Sequence, residues 1–346
     1  MLTCKLNTGH HKNKETLFIP LEVYTMANAI SGIHHVTAIT DDPQRNLDFY
    51  TGLLGLRFVK KTVNFDSPET HHLYYGDEVG YPGTIMTFFS WPGYPRGRRG
   101  TGQVATTSFA IPAQALDYWQ ERLRAHHIAF EGPAQRFEEQ VLSFEDPNGL
   151  QLELVAAPGI EQREIYWKQG PVPAEQAIRG FYGVTLAVAR YESSAKLLTQ
   201  AMGFKLQQQE GQRTRFVAAQ SGNASIVDLL DLPGQVRGQE AVGSVHHVAF
   251  RAANDEEQLQ WRQALTDEGM QVTQVLDRNY FHSIYFREPS GVLFEIATDQ
   301  PGFPVDEPVA ELGTHLKLPT WLESNRPELE KALPTLTIPW TGTETR

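Results

Sequence analysis

A fourfold internal repeat constrains the fold of this chain more than any other feature of its sequence. Each repeat opens with a strand rich in β-branched residues, continues with a helix and closes with three further strands. The opening strands are predicted at residues 32–40, 104–111, 181–188 and 244–250. This order predicts an α+β fold built from four βαβββ modules.

Helix boundary signals support the repeat. In the first module Asp42 is a favourable N-cap and Pro43 suits the first helical position. Gly55 can end this helix, and Gly203 and Gly269 follow the helices of the third and fourth modules in the same way. The same punctuation at repeated positions indicates one structural unit used several times.

The modules divide the chain into two predicted halves. Residues 26–157 hold the first two modules, residues 179–300 hold the last two, and a linker rich in Pro and Gly, 158–178, joins them. Residues 1–25 lack the apolar core of a signal peptide and are predicted to be a disordered extension. Residues 301–346 are predicted to form a C-terminal tail outside the repeat.

Composition excludes several classes of function. The 346 residues carry a formal charge of −11, which argues against nucleic-acid and anionic-membrane partners. No apolar run approaches the roughly 20 residues of a membrane helix. The single cysteine, Cys4, allows no intrachain disulfide, so nothing indicates secretion and a cytoplasmic location is expected.

Alignment of the modules places histidines at one repeated position. His35 in the first module and His247 in the fourth occupy the same place in the opening strand, and each is preceded by another histidine. The second and third modules are aligned with Thr107 and Gly183 at that place. Imidazole ligands are therefore available from the outermost modules.

A second repeated position lies in the last strand of each module. In module order its occupants are Thr87, Glu153, Asp228 and Glu295. Among the pairings of two modules, that of the first with the fourth unites two imidazoles with a carboxylate. Modules one and four are therefore predicted to pair around a metal ion held by His35, His247 and Glu295.

This ligand set favours oxygen chemistry. Two histidines and one carboxylate on one face of a metal leave the opposite face open, as in non-haem Fe(II) oxygenases, and Mn(II) accepts the same ligands. Adjacent residues of a strand point to opposite faces, so one histidine of each pair is expected to bind the metal. His34 and His246 are then expected beside the ligands or in the packing.

The sequence resembles the vicinal oxygen chelate superfamily of glyoxalases, bleomycin-resistance proteins and extradiol dioxygenases. The resemblance runs from about residue 30 to about residue 318 and is strongest to ring-cleaving dioxygenases that act on hydroquinones. It is carried by His34-His35-Val-Thr, His72-Leu-Tyr-Tyr-Gly-Asp-Glu, Pro82-Gly-Thr-Ile-Met-Thr, His246-His247, Asp277-Arg278, Tyr285-Phe-Arg-Glu-Pro and Phe294-Glu295. It implies two paired-module half-barrels, with the second histidine of each pair and Glu295 as metal ligands.

The resemblance also implies roles around the substrate. Arg278 would stabilise a phenolate and Tyr285 would donate a proton to a substrate oxygen, while a surface ion pair and a core aromatic are the alternatives. Four histidines are candidates for substrate binding, with packed or solvated roles left open: His34, His72, His246 and His282.

The predicted function is an Fe(II)-dependent dioxygenase that opens a hydroquinone-type or catechol-type ring with O₂. Two alternatives stay open: a metal-dependent isomerase or thiol transferase of the same fold, and a non-catalytic protein that binds an aromatic compound. Thr87 counts against the first, because threonine is a poor metal ligand. The expected partners are a small aromatic diol and O₂, and a homo-oligomer is left open.

Overall fold

The computed structural model describes residues 29–219 and 224–338, and strands dominate this part of the chain. The strands are β1 Ile33–Thr40, β2 Arg57–Asn64, β3 Ser67–Gly76, β4 Ile85–Ser90, β5 Gln103–Pro112, β6 Phe130–Arg136, β7 Glu139–Glu145, β8 Gln151–Ala157, β9 Phe181–Val188, β10 Lys205–Glu210, β11 Arg213–Val217, β12 Ile226–Asp231, β13 Val245–Ala252, β14 Leu276–Asp277, β15 Phe281–Arg287 and β16 Leu293–Pro301. The α-helices are α1 Pro43–Leu47, α2 Leu116–Ala125, α3 Tyr191–Lys196, α4 Asp255–Asp267 and α5 Arg326–Ala332.

Helix α1 begins where its sequence predicts. The Asp42 side chain accepts hydrogen bonds from the backbone N–H groups of Gln44 and Arg45. The helix continues as a π-helical turn, Asp48–Leu53, before Gly55 ends it with φ +71°. A Cβ atom at Gly55 would lie 2.5 Å from a methyl carbon of Val172, so both the backbone angle and the close packing require glycine.

The strands form two sheets of eight, each made from two modules. Modules one and four form the outer-module sheet, with the order β14-β15-β16-β13-β1-β4-β3-β2. Modules two and three form the inner-module sheet, with the order β10-β11-β12-β9-β5-β8-β7-β6. Both are mixed sheets that curl into half-barrels. The predicted α+β architecture, with modules one and four paired, is confirmed.

An antiparallel pair of opening strands joins the two modules of each sheet. β1 pairs with β13, and β5 pairs with β9. Each opening strand is also parallel to the last strand of its own module, for example β13 to β16. The first and last strands of both modules therefore lie side by side at the middle of the sheet.

Two β-bulges interrupt the β1–β13 pair, and each contains a histidine. Ile33 and His35 pair with the consecutive residues Phe250 and Ala249, so His34 is an extra residue. Thr37 and Ala38 pair with His247 and Val245, so His246 is the extra residue of the other strand. Bulges redirect side chains, and these two lie beside the predicted ligands.

The two sheets are held together by shared contacts. One apolar cluster contains residues of all four modules, including the fully buried Trp119 of α2 and Trp261 of α4. Tyr50 donates a hydrogen bond to Asp146, which lies in the turn after β7. The loops 92–102 and 232–244 also run together, since Arg98 pairs with Gln239.

The segment after β16 packs against the outer-module sheet. The fully buried ammonium of Lys60 on β2 lies 2.6 Å from Asp306 and 2.9 Å from Glu307. Helix α5 also lies in this segment and contacts β3. In the described part of the chain no helix has both the length and the apolar character needed to span a bilayer.

The predicted division into halves, linker and tail stays a prediction. The predicted disordered extension, residues 1–25, lies outside the described residues.

Candidate metal centre

Three side chains converge at the middle of the outer-module sheet. His35 lies on β1, His247 on β13 and Glu295 on β16. Their nearest atoms are close: His35 Nε2 is 3.1 Å from His247 Nε2, and Glu295 Oε2 is 2.9 Å from His247 Nε2 and 3.4 Å from His35 Nε2. All three residues are buried. Among the described residues no other group of three potential metal ligands comes together in this way.

Strand register explains this convergence. His35 lies opposite Ala249 on β13, and Ala249 in turn lies beside Glu295 on β16. His247 lies two residues before Ala249 and opposite Thr37. Residues two apart on a strand share a face, so the two imidazoles and the carboxylate project on the same side of the sheet.

The Glu295 carboxylate has one satisfied oxygen and one that is not. Oε1 accepts a hydrogen bond of 2.5 Å from Ser283 Oγ. Oε2 is fully buried and has no hydrogen-bond donor among the described residues other than the two imidazole nitrogens that it faces. Burial raises the pKa of a carboxyl, but His35 and His247 outweigh burial and hold the pKa of Glu295 well below its usual range. A buried carboxylate oxygen that faces two imidazole nitrogens fits a bound cation.

The histidines in the bulges contact the other ring nitrogen of each predicted ligand. Nδ1 of His34 is 2.9 Å from Nδ1 of His35, and Nδ1 of His246 is 2.7 Å from Nδ1 of His247. Burial holds the pKa of His34 well below its usual value and lowers that of His246 to about 3. Both rings are therefore neutral, and each can accept a hydrogen bond from the Nδ1–H group of the neighbouring ligand histidine. The Nε2 atom of that ligand histidine is then free to bind a metal.

A cavity of about 410 Å³ opens beside these ligands. It is lined by His35, Asn64, Phe65, Asp66, Ser67, His72, Tyr74, Phe89, Trp91, His246, His247, Arg278, Phe281, Tyr285 and Leu293. This volume lies within the range of roughly 300–1,000 Å³ seen for small-molecule sites. Aromatic side chains form most of its walls, so the cavity suits a planar apolar ring.

Arg278 and Tyr285 lie together on one wall. The guanidinium Nε of Arg278 is 3.3 Å from the Tyr285 hydroxyl oxygen and donates to it. Tyr285 lies opposite Glu295 in the β15–β16 pair, and its ring centre is 5.7 Å from that of His247. Burial raises the pKa of the Tyr285 phenol, so the hydroxyl keeps its proton at neutral pH.

Tyr74 is a lining residue that the sequence reasoning missed. It lies opposite Thr87 in the β3–β4 pair, at the place that Tyr285 holds opposite Glu295. Its hydroxyl is 2.9 Å from Nδ1 of His72, whose Nε2 is 2.7 Å from the Thr87 hydroxyl. The repeat itself contained a signal, because a tyrosine precedes the matched position in both modules, Tyr74 before Thr87 and Tyr285 before Glu295.

Two of the histidines predicted to bind substrate do not line this cavity. His34 is buried behind His35, with its ring 5.1 Å from that of Phe281. His282 is half-exposed, and its Nδ1 lies 2.6 Å from Asp255 at the start of α4. His282 and Tyr285 lie three positions apart on β15. Residues an odd number of positions apart on a strand point to opposite faces, so His282 points away from the cavity that Tyr285 lines. His72 and His246 do line the cavity.

The inner-module sheet shows what occupies the same positions without histidines. The register pairs Ser108 with Glu153, as Thr37 pairs with Thr87. Thr106, not Thr107, therefore corresponds to His35, and the alignment of the second module was wrong by one residue. Strand β5 has a bulge at Ala105, the place that His34 holds in β1, so the two opening strands share this irregularity. The conclusion that this module supplies no histidine is unchanged.

Arginines neutralise the two carboxylates at the matched positions of the inner-module sheet, Glu153 and Asp228. Arg136 donates to the two oxygens of Glu153 at 2.6 and 2.7 Å. Arg213 and Arg215 contact Asp228 at 3.0 and 2.9 Å. These buried carboxylates are thus fully paired, and the structure gives them no free oxygen facing a cavity.

The sequence of this chain is similar to known proteins of one family. The family described as "Glyoxalase/Bleomycin resistance protein/Dioxygenase superfamily" matches residues 32–154 and 181–296. The protein named "Putative ring-cleaving dioxygenase MhqO", from Bacillus subtilis (strain 168), is 46% identical over 308 residues, which cover 89% of this chain and 97% of that protein. A chlorohydroquinone/hydroquinone 1,2-dioxygenase from Sphingobium indicum is 35% identical over 313 residues, covering 88% of this chain and 96% of that protein.

Solved structures show the same fold. The crystal structure of a protein described as "putative dioxygenase" from Bacillus subtilis has a TM-score of 0.85 and 44% identity, and the match covers 90% of this chain and 99% of that one. Glyoxalase I from Zea mays has a TM-score of 0.57 at 17% identity, covering 78% of this chain and 92% of that one, which shows a shared fold alone. The chain belongs to the glyoxalase/bleomycin resistance protein/dioxygenase superfamily and, within it, is an oxidoreductase of the ring-cleaving dioxygenase class.

Proposed function

We propose that this protein is an Fe(II)-dependent dioxygenase that opens the ring of a hydroquinone-type or catechol-type diol with O₂. One observation carries the proposal: two imidazoles and an unsatisfied buried carboxylate oxygen converge beside an aromatic-lined cavity. The similarity to a chlorohydroquinone/hydroquinone 1,2-dioxygenase supports a para-diol in particular.

The residues present fit a divalent metal. His35 and His247 would bind it through Nε2 and Glu295 through Oε2, the three atoms that already face one another. This nitrogen and oxygen ligand set suits Fe(II) and also accepts Mn(II). When bound, Fe(II) would supply the open coordination positions and the redox chemistry that let O₂ react with an aromatic ring.

Arg278 and Tyr285 are proposed as the catalytic side chains of this chain. The Arg278 Nε–H donates to the Tyr285 oxygen, so the phenol's own proton is free to be donated to a substrate oxygen. The guanidinium charge stabilises negative charge that develops on that oxygen. Tyr285 therefore orients the diol and holds a proton at the place where the ring oxygen needs one.

His72, with Tyr74, forms a second polar contact on the other side of the cavity. Because both ring nitrogens of His72 are engaged, by the Tyr74 hydroxyl and by Thr87, its part in substrate binding would be to fix the Tyr74 hydroxyl. Phe89 and Trp91 stack with ring centres 6.3 Å apart and form an apolar wall. These walls hold the ring and exclude water from it.

The test is oxygen consumption by protein that has been loaded with Fe(II) without air. Hydroquinone, chlorohydroquinone and catechol are added in turn, and a product that has gained both atoms of O₂ is sought by mass spectrometry. We expect uptake with at least one para-diol, and its loss in His247→Ala but not in His126→Ala, an exposed histidine at the C-terminal end of α2. Unchanged uptake in His247→Ala would contradict the mechanism.

Two parallel measurements exclude the alternatives. Loading with Mn(II) in place of Fe(II) identifies the metal that supports turnover. Conversion of a hemithioacetal of glutathione, with no oxygen uptake from any diol, would instead show a glyoxalase-type isomerase.

A further inference from the structure

An acidic side chain faces the predicted catalytic arginine across the mouth of the cavity. Residues 64–67 form the turn between β2 and β3 and line the cavity on the side of Arg278. Asp66 in this turn approaches Arg278 with both carboxylate oxygens. Oδ2 lies 3.1 Å from Nη2, and Oδ1 lies 3.4 Å from Nη1.

This contact occupies the end of the guanidinium that would bind another anion. A guanidinium binds a carboxylate or sulfonate through two parallel N–H groups on one edge. Asp66 takes the edge formed by Nη1 and Nη2. Nε donates to the Tyr285 hydroxyl, so the neighbouring edge has one of its two donors committed as well. A second acidic group therefore finds no free two-donor edge on Arg278.

Fixed positive charge is scarce among the side chains that line the cavity in the described part of the chain. Arg278 is the one lysine or arginine among the described residues that line it. The side chain of Asp66 is 73% exposed and that of Arg278 is 19% exposed, so the pair lies where the cavity meets solvent. The Ser67 hydroxyl donates to Glu69, and Phe65 and Leu293 are apolar. An anionic substituent at Arg278 would therefore lie beside the Asp66 carboxylate.

We propose that Asp66 is a specificity-determining residue that restricts this cavity to aromatic diols without an anionic substituent. By pairing with Arg278, it fills the site where a ring carboxylate or sulfonate would bind and adds a like charge beside it. This inference rests on the proposed function, since it describes the substrate of the same site.

The test compares two para-diols that differ in charge. Chlorohydroquinone is neutral, and 2,5-dihydroxybenzenesulfonate carries one negative charge on a weakly coordinating group. Their dissociation constants are measured by calorimetry on Fe(II)-loaded protein without O₂, so turnover is not needed. The variants are Asp66→Asn and the matched control Glu69→Gln, which removes the same charge from the same strand region but does not contact Arg278.

Wild-type protein is expected to bind the sulfonate at least about tenfold more weakly than chlorohydroquinone, as a like charge beside an occupied guanidinium predicts. Asp66→Asn should reduce this ratio by about three- to tenfold, the range for a partly exposed charge contact. Glu69→Gln should leave it within about twofold.

Equal binding of the two diols by wild-type protein would overturn the inference. A ratio unchanged by Asp66→Asn, or changed equally by Glu69→Gln, would overturn it as well. If both diols bind as expected but no variant or wild-type protein consumes O₂, the proposed function fails while the role of Asp66 in selecting charge stands.

Discussion

The two half-barrels place acidic side chains at matched positions but compensate them differently. In the inner-module sheet, Glu153 and Asp228 each form close contacts with arginine side chains. In the outer-module sheet, Glu295 has two imidazoles beside it, and one buried oxygen faces no other hydrogen-bond donor among the described residues. A buried carboxylate is costly unless it is paired. The fold therefore provides a position for a carboxylate, and the neighbouring side chains decide whether it belongs to the core or to a metal site.

The opposite strands show which side chains make this difference. Arg215 lies opposite Asp228 on the neighbouring strand, at the place where Tyr285 lies opposite Glu295. An arginine at that place forms an ion pair with the carboxylate, whereas a tyrosine carries no positive charge and leaves the carboxylate available to a cation. The comparison predicts that substitutions in the outer-module sheet alter metal binding and that substitutions in the inner-module sheet alter stability.

The largest expected effect is on metal content. Glu295→Gln should weaken Fe(II) binding by more than about a hundredfold, because loss of an outer-shell partner alone costs up to that much. Glu153→Gln, the same change at the matched position, should leave bound metal unchanged. Equilibrium dialysis with metal analysis measures both variants. Equal metal loss in the two would refute the distinction between the half-barrels.

A smaller effect is expected on the free energy of unfolding when the inner-module sheet is changed. Arg215 contacts Asp228 and also Glu139 at 2.7 Å, and it is almost fully buried. Arg215→Met should lower the free energy of unfolding by about 3 kcal/mol, since it removes the arginine that pairs with Glu139 and leaves Asp228 with Arg213 alone. Denaturant unfolding measures the change, and metal content should not change with it.

An exposed arginine provides the control for this prediction. Arg326 pairs with Glu323 at the surface, where the ion pair is screened by solvent. Arg326→Met should therefore cost less than about 1 kcal/mol. A cost for Arg215→Met as small as that for Arg326→Met would mean that the inner arginines do not stabilise the sheet.

The smallest expected effect concerns pH. Burial raises the pKa of Asp146, which accepts a hydrogen bond from Tyr50 of the outer half, to about 6. Its neutral form is favoured in the folded state, so this contribution to stability is full below about pH 4 and is lost as pH rises to about 6. Wild-type protein should lose on the order of 2 kcal/mol of unfolding free energy across that window because of Asp146, and Asp146→Asn should not show this loss.

Unfolding curves of wild-type protein and Asp146→Asn at several pH values between about 4 and 7 measure this difference. Asp117→Asn, which changes an exposed carboxylate of α2, is the control and should follow the wild type. A parallel pH dependence in Asp146→Asn and wild-type protein would contradict the assigned contribution.

Much of the fold follows from the sequence because it depends on periodicity and punctuation. The order of each module is set by strand and helix patterns with glycine stops such as Gly55. The pairing of modules one and four follows from which modules hold His35, His247 and Glu295. The structure brings these three side chains together, while their role as ligands stays a prediction.

Other features depend on contacts that a pattern does not contain. The bulges at His34 and His246 add a residue without changing the hydrophobic pattern, so the contact between neighbouring ring nitrogens was not foreseen. The Tyr74 hydroxyl and the Asp66–Arg278 pair depend on how strands of different modules pack in space. The cytoplasmic location stays a prediction.

Anomalous X-ray diffraction from crystals grown with Fe(II) without air tests the central claim most directly. The account predicts one strong peak at the iron edge, roughly 2.0–2.2 Å from Nε2 of His35, Nε2 of His247 and a carboxylate oxygen of Glu295. It predicts no peak beside Glu153 or Asp228. A peak at the inner positions, or iron bound away from these three side chains, would contradict it.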